Sequence, residues 1–490
     1  MFALILQAAG AVVALLLLQA VAKGIYNVFL HPLRKYPGPK SFAATSLPWA
    51  ITTAQGQWAY CIRSLHERYG HVVRTGPNEL VYCDAASMKD ILTRRPPMTK
   101  SAAYYNMPPL GTHSILSVKD EADHARYRRV LAHAFSEKAL REQEPLIRNY
   151  IDLFIARLRE CAADGTPQDL VAWFNYVSFD IIGDLTLGQS FNCLESNTLH
   201  PWVQYLFQNF KAVTLMGCAR RFPSVFGILM KLMPQKSLQN RLEHFLFSKR
   251  KVEERIQSQS DRKDFMTFVL RHNEKDTGMS MDEIVPTFAV LLLAGSETTA
   301  TLLSVTSFYL LQNPEVMDKL VKEIRGSFKN EEDINMVSVN SLQYEIAVLD
   351  EAMRIHPPTP LGSPRVVPDG GEMVGGEWVP GGTTLYASTY SMNRSAKNWT
   401  DPDKFAPERW LKDPKYANDD KAAFAPFSLG TRNCVGKNLA IAEMRVILAR
   451  LLWNFDLEPT EQSCGWVQNM KQFILWEKPP LLVKLKAVVR

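Results

Sequence analysis

Ten residues near the end of the chain constrain it most: Phe427-Ser428-Leu429-Gly430-Thr431-Arg432-Asn433-Cys434-Val435-Gly436. One cysteine sits between two glycines, directly ahead of an apolar stretch from about Val435 to Trp453 that predicts a helix. Backbone N–H groups at a helix start are unpaired and carry partial positive charge. A cysteine there is expected as thiolate, the form that ligates a metal. Gly430 permits a tight turn before the sulfur, and Gly436 lets a flat ligand lie close to the backbone. Phe427 is expected to wall one side of the sulfur, and Arg432 to pair with an anionic edge of the ligand. Zinc takes three or four protein ligands, and no second Cys or His lies at zinc spacing nearby. A lone thiolate beside an Arg and a Phe suits a haem iron. The rival reading, a buried free cysteine near a glycine turn, is the usual one for a lone Cys.

The ten residues fit Phe-x-x-Gly-x-Arg-x-Cys-x-Gly, and through that pattern the chain resembles the cytochrome P-450 family, whose haem-binding signature it is. The resemblance implies heme b with Cys434 as the axial ligand of the iron. It also implies a mostly α fold with a small β-rich subdomain.

With 490 residues and 46% apolar content the chain has ample material for a large core. No Gly/Ser tract, charge block or repeat interrupts it after residue 40, so one large domain is expected over 37–490. A net charge of +6 is mild for this length and argues against a nucleic-acid binder. Seven scattered cysteines without CxxC spacing read as a reducing compartment. Phe2 to Ala22 is uncharged and mostly apolar, long enough for one N-terminal transmembrane helix. A cleaved signal peptide competes, but it usually carries a basic start and a shorter apolar core. Lys23, Arg34 and Lys35 follow the segment and place the body in the cytosol. Residues 1–36 are therefore expected to be a membrane anchor and basic hinge, stiffened by Pro32, Pro37 and Pro39. This arrangement resembles microsomal family members, hence an endoplasmic reticulum membrane location.

Ser280-Met281-Asp282-Glu283 reads as a capping box opening an apolar helix to about Gln312, roughly 45–50 Å long. Its middle, Ala294-Gly295-Ser296-Glu297-Thr298-Thr299, places a carboxylate, a Gly and two Thr where helix is disfavoured. Such local violations are expected at functional sites. Thr298, beside an expected helix distortion, is positioned to hold a water, with Glu297 feeding protons to it. Ala294 and Gly295 leave room for oxygen. The bland alternative for Thr298 is a hydroxyl bonded back to the preceding turn. The run matches the family's oxygen-activation motif, which assigns Thr298 and Glu297 catalytic roles.

Asp123 to Phe135 predicts a helix with His124 and Arg128 on one face. The resemblance puts both on a haem propionate, His124 standing where the family usually has Trp, and Arg365 on the second propionate. Arg126 and Arg129 fit a docking patch for a redox partner and a solvated face equally. Glu351 and Arg354 share a helix face, and with Arg409 the resemblance makes them an ionic brace under the cysteine loop. Trp58 to Tyr69 reads as helix, His71 to Asp84 as alternating strands, and Asp369 to Gly382 as small β structure. The segment 98–118 is apolar for a loop and covers the substrate in the family. Leu206 to Pro234, rich in Phe and Met, fits a mobile lid, a helical core and a membrane-dipping surface alike. Thr359 to Gly362, Phe473 and Ile474 are expected to line the substrate pocket.

The resemblance implies a monooxygenase that takes O2 and two electrons, relayed from NADPH by a separate NADPH-cytochrome P-450 reductase. It inserts one oxygen atom into a lipophilic small molecule. No flavin- or nicotinamide-binding domain is expected. The Asp-His-Ala-Arg-Tyr-Arg-Arg segment and the His31-Pro32-Leu33-Arg34 hinge look like fungal secondary-metabolism members, such as the isotrichodermin 15-hydroxylase-like group. The substrate class is then a polyketide, terpenoid or alkaloid intermediate. Two rivals stand beside this reading: a haem-thiolate isomerase or dehydratase working without O2 or reductase, and a non-catalytic gas sensor.

Overall fold

The computed structural model describes residues 2–489 except 106–111, 233–234, 259, 261 and 275–276. Side chains are described for the same residues except 3–6, 8, 9, 12, 13, 103, 105, 206–209, 232, 235–238, 240, 241 and 244. The chain is mostly helical with small sheets, as its sequence predicts. A long helix, Met281–Gln312, crosses the body. Ser280 and Glu283 close the expected capping box, with the Ser280 N–H donating to Glu283 Oε2 at 2.8 Å.

Helix Leu170–Leu187, buried along almost its whole length, packs against the long helix. Gly295 serves that contact, because a Cβ there would come within 2.6 Å of Ile182 Cδ1. The space beside Gly295 thus belongs to Ile182, not to oxygen. The distortion expected beside Thr298 is also absent. The hydroxyls of Ser296, Thr298 and Thr299 donate to the carbonyls of Leu292, Ala294 and Gly295 at 2.7, 2.7 and 3.0 Å. This back-bonding to the preceding turn satisfies them inside an unbroken helix. Helices Glu137–Ala162 and Lys437–Asn454 complete the core around it.

The main sheet has five short strands in the order Val72–Gly76, Glu79–Tyr82, Thr384–Ala387, Arg365–Val366, Thr99–Lys100. Only the Glu79–Tyr82 and Thr384–Ala387 pair is parallel. The alternation in 71–84 predicts strands, and the first two strands of the sheet lie there with every residue buried. The hinge covers them: Leu33 and Tyr36 are buried, the Tyr36 hydroxyl donates to Trp378 O at 2.9 Å, and Arg74 N–H donates to Pro37 O at 2.7 Å.

Ahead of the hinge, Phe2–Phe29 is one helix. Its expected anchor segment includes side chains outside the described residues, and the apolar stretch that is described, Ala14–Phe29, is shorter than a bilayer span. Two helices of the body, Leu170–Leu187 and Met281–Gln312, are long and apolar enough to cross a membrane, and both are mostly buried inside the fold.

Helix Gln343–Ile355 carries a buried ionic network. Glu351 accepts from Arg354 at 2.8 and 2.9 Å, from Arg409 at 3.0 Å, from the Ala406 N–H at 2.9 Å and from Trp410 Nε1 at 3.0 Å. Arg409 also pairs with Asp419, which the sequence did not single out. Arg354 donates further to the carbonyls of Asn393, Pro402 and Lys404 at 2.7, 2.8 and 3.1 Å. Two cations thus balance two anions out of contact with water, and both carboxylates and both guanidinium groups are extensively bonded. Replacing Arg409 by Met leaves Asp419 without its cation and takes one of the two cations from Glu351. That variant should lose about 3–5 kcal/mol of stability, read as a fall in the urea midpoint followed by tryptophan fluorescence.

Candidate active site

The cysteine loop is fixed by backbone geometry. Gly430 has φ +74°, and a Cβ there would lie 2.1 Å from Leu92 O, so only glycine fits. Ser428 sits at φ 62°, a left-handed conformation uncommon outside Gly and Asn. The Cys434 N–H donates to Phe427 O at 2.9 Å, which closes the loop over itself. Cys434 keeps an exposed side, although protein atoms crowd its sulfur on the other. Phe427 is half-buried, packs on the main core, and carries Lys437 Nζ 5.8 Å from its ring centroid. Gly436 has no such steric demand from the protein, since a Cβ would make ordinary contact with Phe135 at 3.6 Å. Protein surroundings alone push the Cys434 thiol up through burial. The Gly436 N–H, Arg128 and Lys437 offset that only in part. A bound metal cation would deprotonate a coordinating thiol outright.

Arg128 reaches the loop from helix Glu121–Ala132. Its guanidinium donates to Asn433 O at 2.5 Å and to Asn433 Oδ1 at 2.8 Å. Arg432 is nearly committed. Its Nε donates to Glu121 at 3.0 Å, and its other nitrogens to the carbonyls of Val118, Lys119 and Asp120 at 2.6, 3.1 and 3.3 Å. Glu121 also accepts from the Thr431 hydroxyl at 2.9 Å. Of the flanking arginines, Arg126 bridges to Glu283 at 2.7 Å and Asp123 at 2.8 Å, and Arg129 donates to Thr277 O at 2.9 Å. Arg126 therefore ties this helix to the start of the long helix.

His124 and Arg365 are both buried, and a lysine absent from the sequence reading joins them. Strand Thr99–Lys100 pairs antiparallel with Arg365–Val366, so that Lys100 stands opposite Arg365. Like charges directly opposite on a sheet repel, and here both are buried. Burial, Arg432 and Arg365 pull the Lys100 amine down to about 7, while Glu121 opposes. Burial, Arg432, Lys100, Arg128 and Arg365 hold His124 down to about 3, so its imidazole is neutral at working pH. Lys100, Arg128, Arg365 and Arg432 thus all act on His124, while Glu121 opposes the pull on Lys100. This donor set fits a ligand with anionic groups, and Arg128 links it to Cys434. A haem, with two propionates and an iron that takes a thiolate, matches both ends.

On the long helix, Val290, Ala294 and Thr298 form an accessible stripe at four-residue spacing, whereas 299–308 are buried. Glu297 lies on another face. Lys478 Nζ donates to Glu297 Oε1 and, at 2.8 Å, to Thr301 Oγ1. Glu297 Oε2 is buried without a partner. Burial pushes this carboxyl up and Lys478 opposes it. The structure thus does not bring the Glu297 carboxylate to the Thr298 hydroxyl, which is bonded to Ala294 O.

The segments read as substrate-facing are only partly described. Met107 and Leu110 lie outside the described residues, as does Met233. Tyr104 bonds Glu79 at 3.2 Å and Arg221 at 2.5 Å. Helices Pro201–Arg220 and Pro223–Leu232 span the second segment. There Val225, Ile228, Leu229 and Met230 are exposed, which excludes a plain helical core for that part. Phe473 is buried and Ile474 exposed.

The cytochrome P450 family matches residues 37–485. The chain is 42% identical to the cytochrome P450 monooxygenase lcsI of Purpureocillium lilacinum, over 99% of this chain and 95% of that protein. It is 42% identical to an averantin hydroxylase of Dothistroma septosporum, over 96% and 90%. It is likewise 42% identical to the cytochrome P450 monooxygenase aclL of Aspergillus oryzae, over 96% of each. The chain therefore belongs to the cytochrome P450 family, oxidoreductases that carry heme b with a cysteine thiolate on the iron.

Proposed function

We propose that this monooxygenase inserts one oxygen atom of O2 into a lipophilic polyketide, terpenoid or alkaloid intermediate of fungal secondary metabolism, at a haem ligated by Cys434. Electrons come from NADPH through NADPH-cytochrome P450 reductase. The observation that carries the reading is Cys434 in its glycine-bounded loop with Arg128 acting on it, next to a group of cations, Lys100, Arg365 and Arg432, that acts on the buried His124. The named monooxygenase and hydroxylase activities of the fungal relatives support it. The haem supplies O2 activation; the protein supplies everything that positions it.

Cys434 Sγ is the metal ligand, and Phe427 walls it. Arg365 and Lys100 would hold the anionic edge of the haem through charge-assisted bonds. His124 adds a neutral N–H donor. Arg128 fixes Asn433, and its charge offsets the thiolate. Arg432 acts mainly by tying the loop to Glu121, with little donor capacity left for a propionate. Thr298 and Glu297 hold and pass protons, which requires the carboxyl to leave its seat beside Lys478. That acid–alcohol pair has no use in an isomerase or dehydratase working without O2, so it favours the monooxygenase reading. Residues 1–36 act as anchor and hinge on the endoplasmic reticulum membrane. Residues 37–490 form the cytosolic catalytic domain, and the exposed Val225, Ile228, Leu229 and Met230 are available to a lipophilic surface.

Four measurements test this. Deleting the gene should make one lipophilic metabolite accumulate. Holoenzyme with reductase and NADPH should then add to that metabolite one atom from labelled O2; conversion without NADPH would overturn the reading. Cys434→Ala should abolish the thiolate-type absorption band of the reduced carbonyl complex. Lys100→Met should still fold but lose about 2 kcal/mol of haem binding, seen as faster haem transfer to apomyoglobin.

A further inference from the structure

A cavity of about 410 Å³ opens between helix Trp58–Tyr69 and residues 391–403, and no residue of the cysteine loop lines it. His66 forms part of its wall and is only 7% exposed. The His66 Nδ1 lies 2.8 Å from Gly70 O, and a carbonyl can only accept, so the ring proton sits on Nδ1. Nε2 therefore carries the lone pair, and it is buried without a bond. Burial holds the imidazole down to about 4, with the Gly70 bond and Asp84 opposing and His71 assisting. The ring is thus a neutral acceptor. A buried acceptor costs free energy until a donor meets it, and the hydroxyl of a ligand can be that donor.

The charges on the cavity favour an anion. Arg63 donates to the two oxygens of Asp403 at 2.9 and 2.7 Å and to Glu67 at 2.8 Å. Arg394 donates to the same Asp403 at 2.5 Å. Lys397 is exposed beside them, so three cations line the cavity against two carboxylates. Asp84 acts on His66 and Cys83 from outside the lining, and its Oδ1 is taken by the Ser87 N–H at 2.8 Å. Among the described residues no three His, Cys, Asp or Glu side chains are grouped to hold a metal, and burial pushes the Cys83 thiol up to about 12. A cavity of this volume suits a small organic molecule.

The walls lead to the loop that carries Cys434. Arg394 Nε donates to Ile355 O at 2.7 Å, at the end of helix Gln343–Ile355. Pro402 O accepts from Arg354 of the buried ionic network at 2.8 Å. Asn398 Nδ2 donates to Cys83 O at 3.1 Å. Helix Ala85–Thr93 begins two residues after Cys83, and its Leu92 O is the atom that admits only glycine at position 430. A molecule held by His66 on one side and Lys397 on the other ties helix Trp58–Tyr69 to this network.

We propose that this cavity is an effector site for a small hydroxylated anion. The hydroxyl donates to His66 Nε2, and the anionic group lies against Lys397 and Arg63. A ligand that binds the folded state and not the unfolded one stabilises what it binds. Occupancy therefore holds the stretch that leads to Cys434 and slows loss of the haem.

The test uses the holoenzyme and three probes: glycerol 3-phosphate, gluconate and citrate. Glycerol, with hydroxyls but no charge, and sulfate, with charge but no hydrogen to donate, are the controls. At least one probe should bind saturably by calorimetry, at least roughly tenfold tighter than either control, and should slow haem transfer to apomyoglobin severalfold. His66→Asn keeps an amide donor for Gly70 O and lacks Nε2, so it should weaken that binding roughly tenfold. Lys397→Met changes an exposed residue, and should weaken it roughly threefold and flatten its salt dependence. If His66→Asn gives no holoenzyme, Lys397→Met decides. Binding of none of the three probes, or binding that neither substitution changes, would overturn the site. Saturable binding with unchanged haem transfer would overturn the effector role.

Discussion

The structure depends on a small set of charges placed where water does not reach. Glu351, Arg354, Arg409 and Asp419 join helix Gln343–Ile355 to the stretch that leads to the cysteine loop. Helix packing alone cannot hold that stretch, because from Asn393 to Gly436 the chain is mostly turns and single-turn helices with few backbone ladders. Instead Arg354 and Arg409 gather its carbonyls, and the Trp399, Trp410 and Phe424 rings cover them. Removing two charges from water is costly, and it is tolerated only where their hydrogen-bonding capacity is closely matched. Eleven hydrogen bonds to protein atoms around the two arginines and Glu351 meet that demand. Loop residues at strained φ, Ser428 among them, are held by this rigid base.

How much of this the sequence discloses depends on whether a residue acts with near neighbours or with distant ones. The capping box at Ser280, the helix Trp58–Tyr69 and the turn at Gly430 are local, and the structure has them where their spacing places them. Long-range partners leave no local mark. Lys100 looks like any lysine until strand pairing sets it across from Arg365. Lys478 stands in a Trp-Glu-Lys-Pro-Pro run with no periodic signal, and 181 residues separate it from Glu297. Asp419 is one of several acids in a polar turn, yet its side chain is fully buried.

Local reading also misjudged some local features, for physical reasons. Gly295 sits in a motif that points toward the oxygen site, but its missing Cβ accommodates Ile182 from the neighbouring helix. The hydroxyls of 296–299 disfavour helix in isolation, yet within a helix packed on several sides the preceding carbonyls satisfy them. Strands 72–76 and 79–82 alternate in sequence but are buried on both faces, because the hinge docks over them. Arg432 carries a charge suited to an anionic ligand, and Glu121 meets it first.

The buried charges of this protein fall into two kinds, and the difference separates structure from chemistry. The brace around Glu351 is balanced, two anions to two cations, so nothing further is needed to stabilise it. The cluster around His124 gathers cations: Lys100, Arg128, Arg365 and Arg432 all act on it, while Glu121 pairs with Arg432 and opposes the pull on Lys100. Left to itself, such a group lowers its charge, and the Lys100 amine drifts to about 7. An anion arriving there restores the lysine to its charged form. The Glu297–Lys478 pair is balanced in charge but incomplete in hydrogen bonds, with Glu297 Oε2 buried and unbonded. A closed network holds shape, whereas cations crowded into a dry interior favour an arriving anion. The same burial that stabilises the brace thus gives the cluster its affinity for charge of the opposite sign.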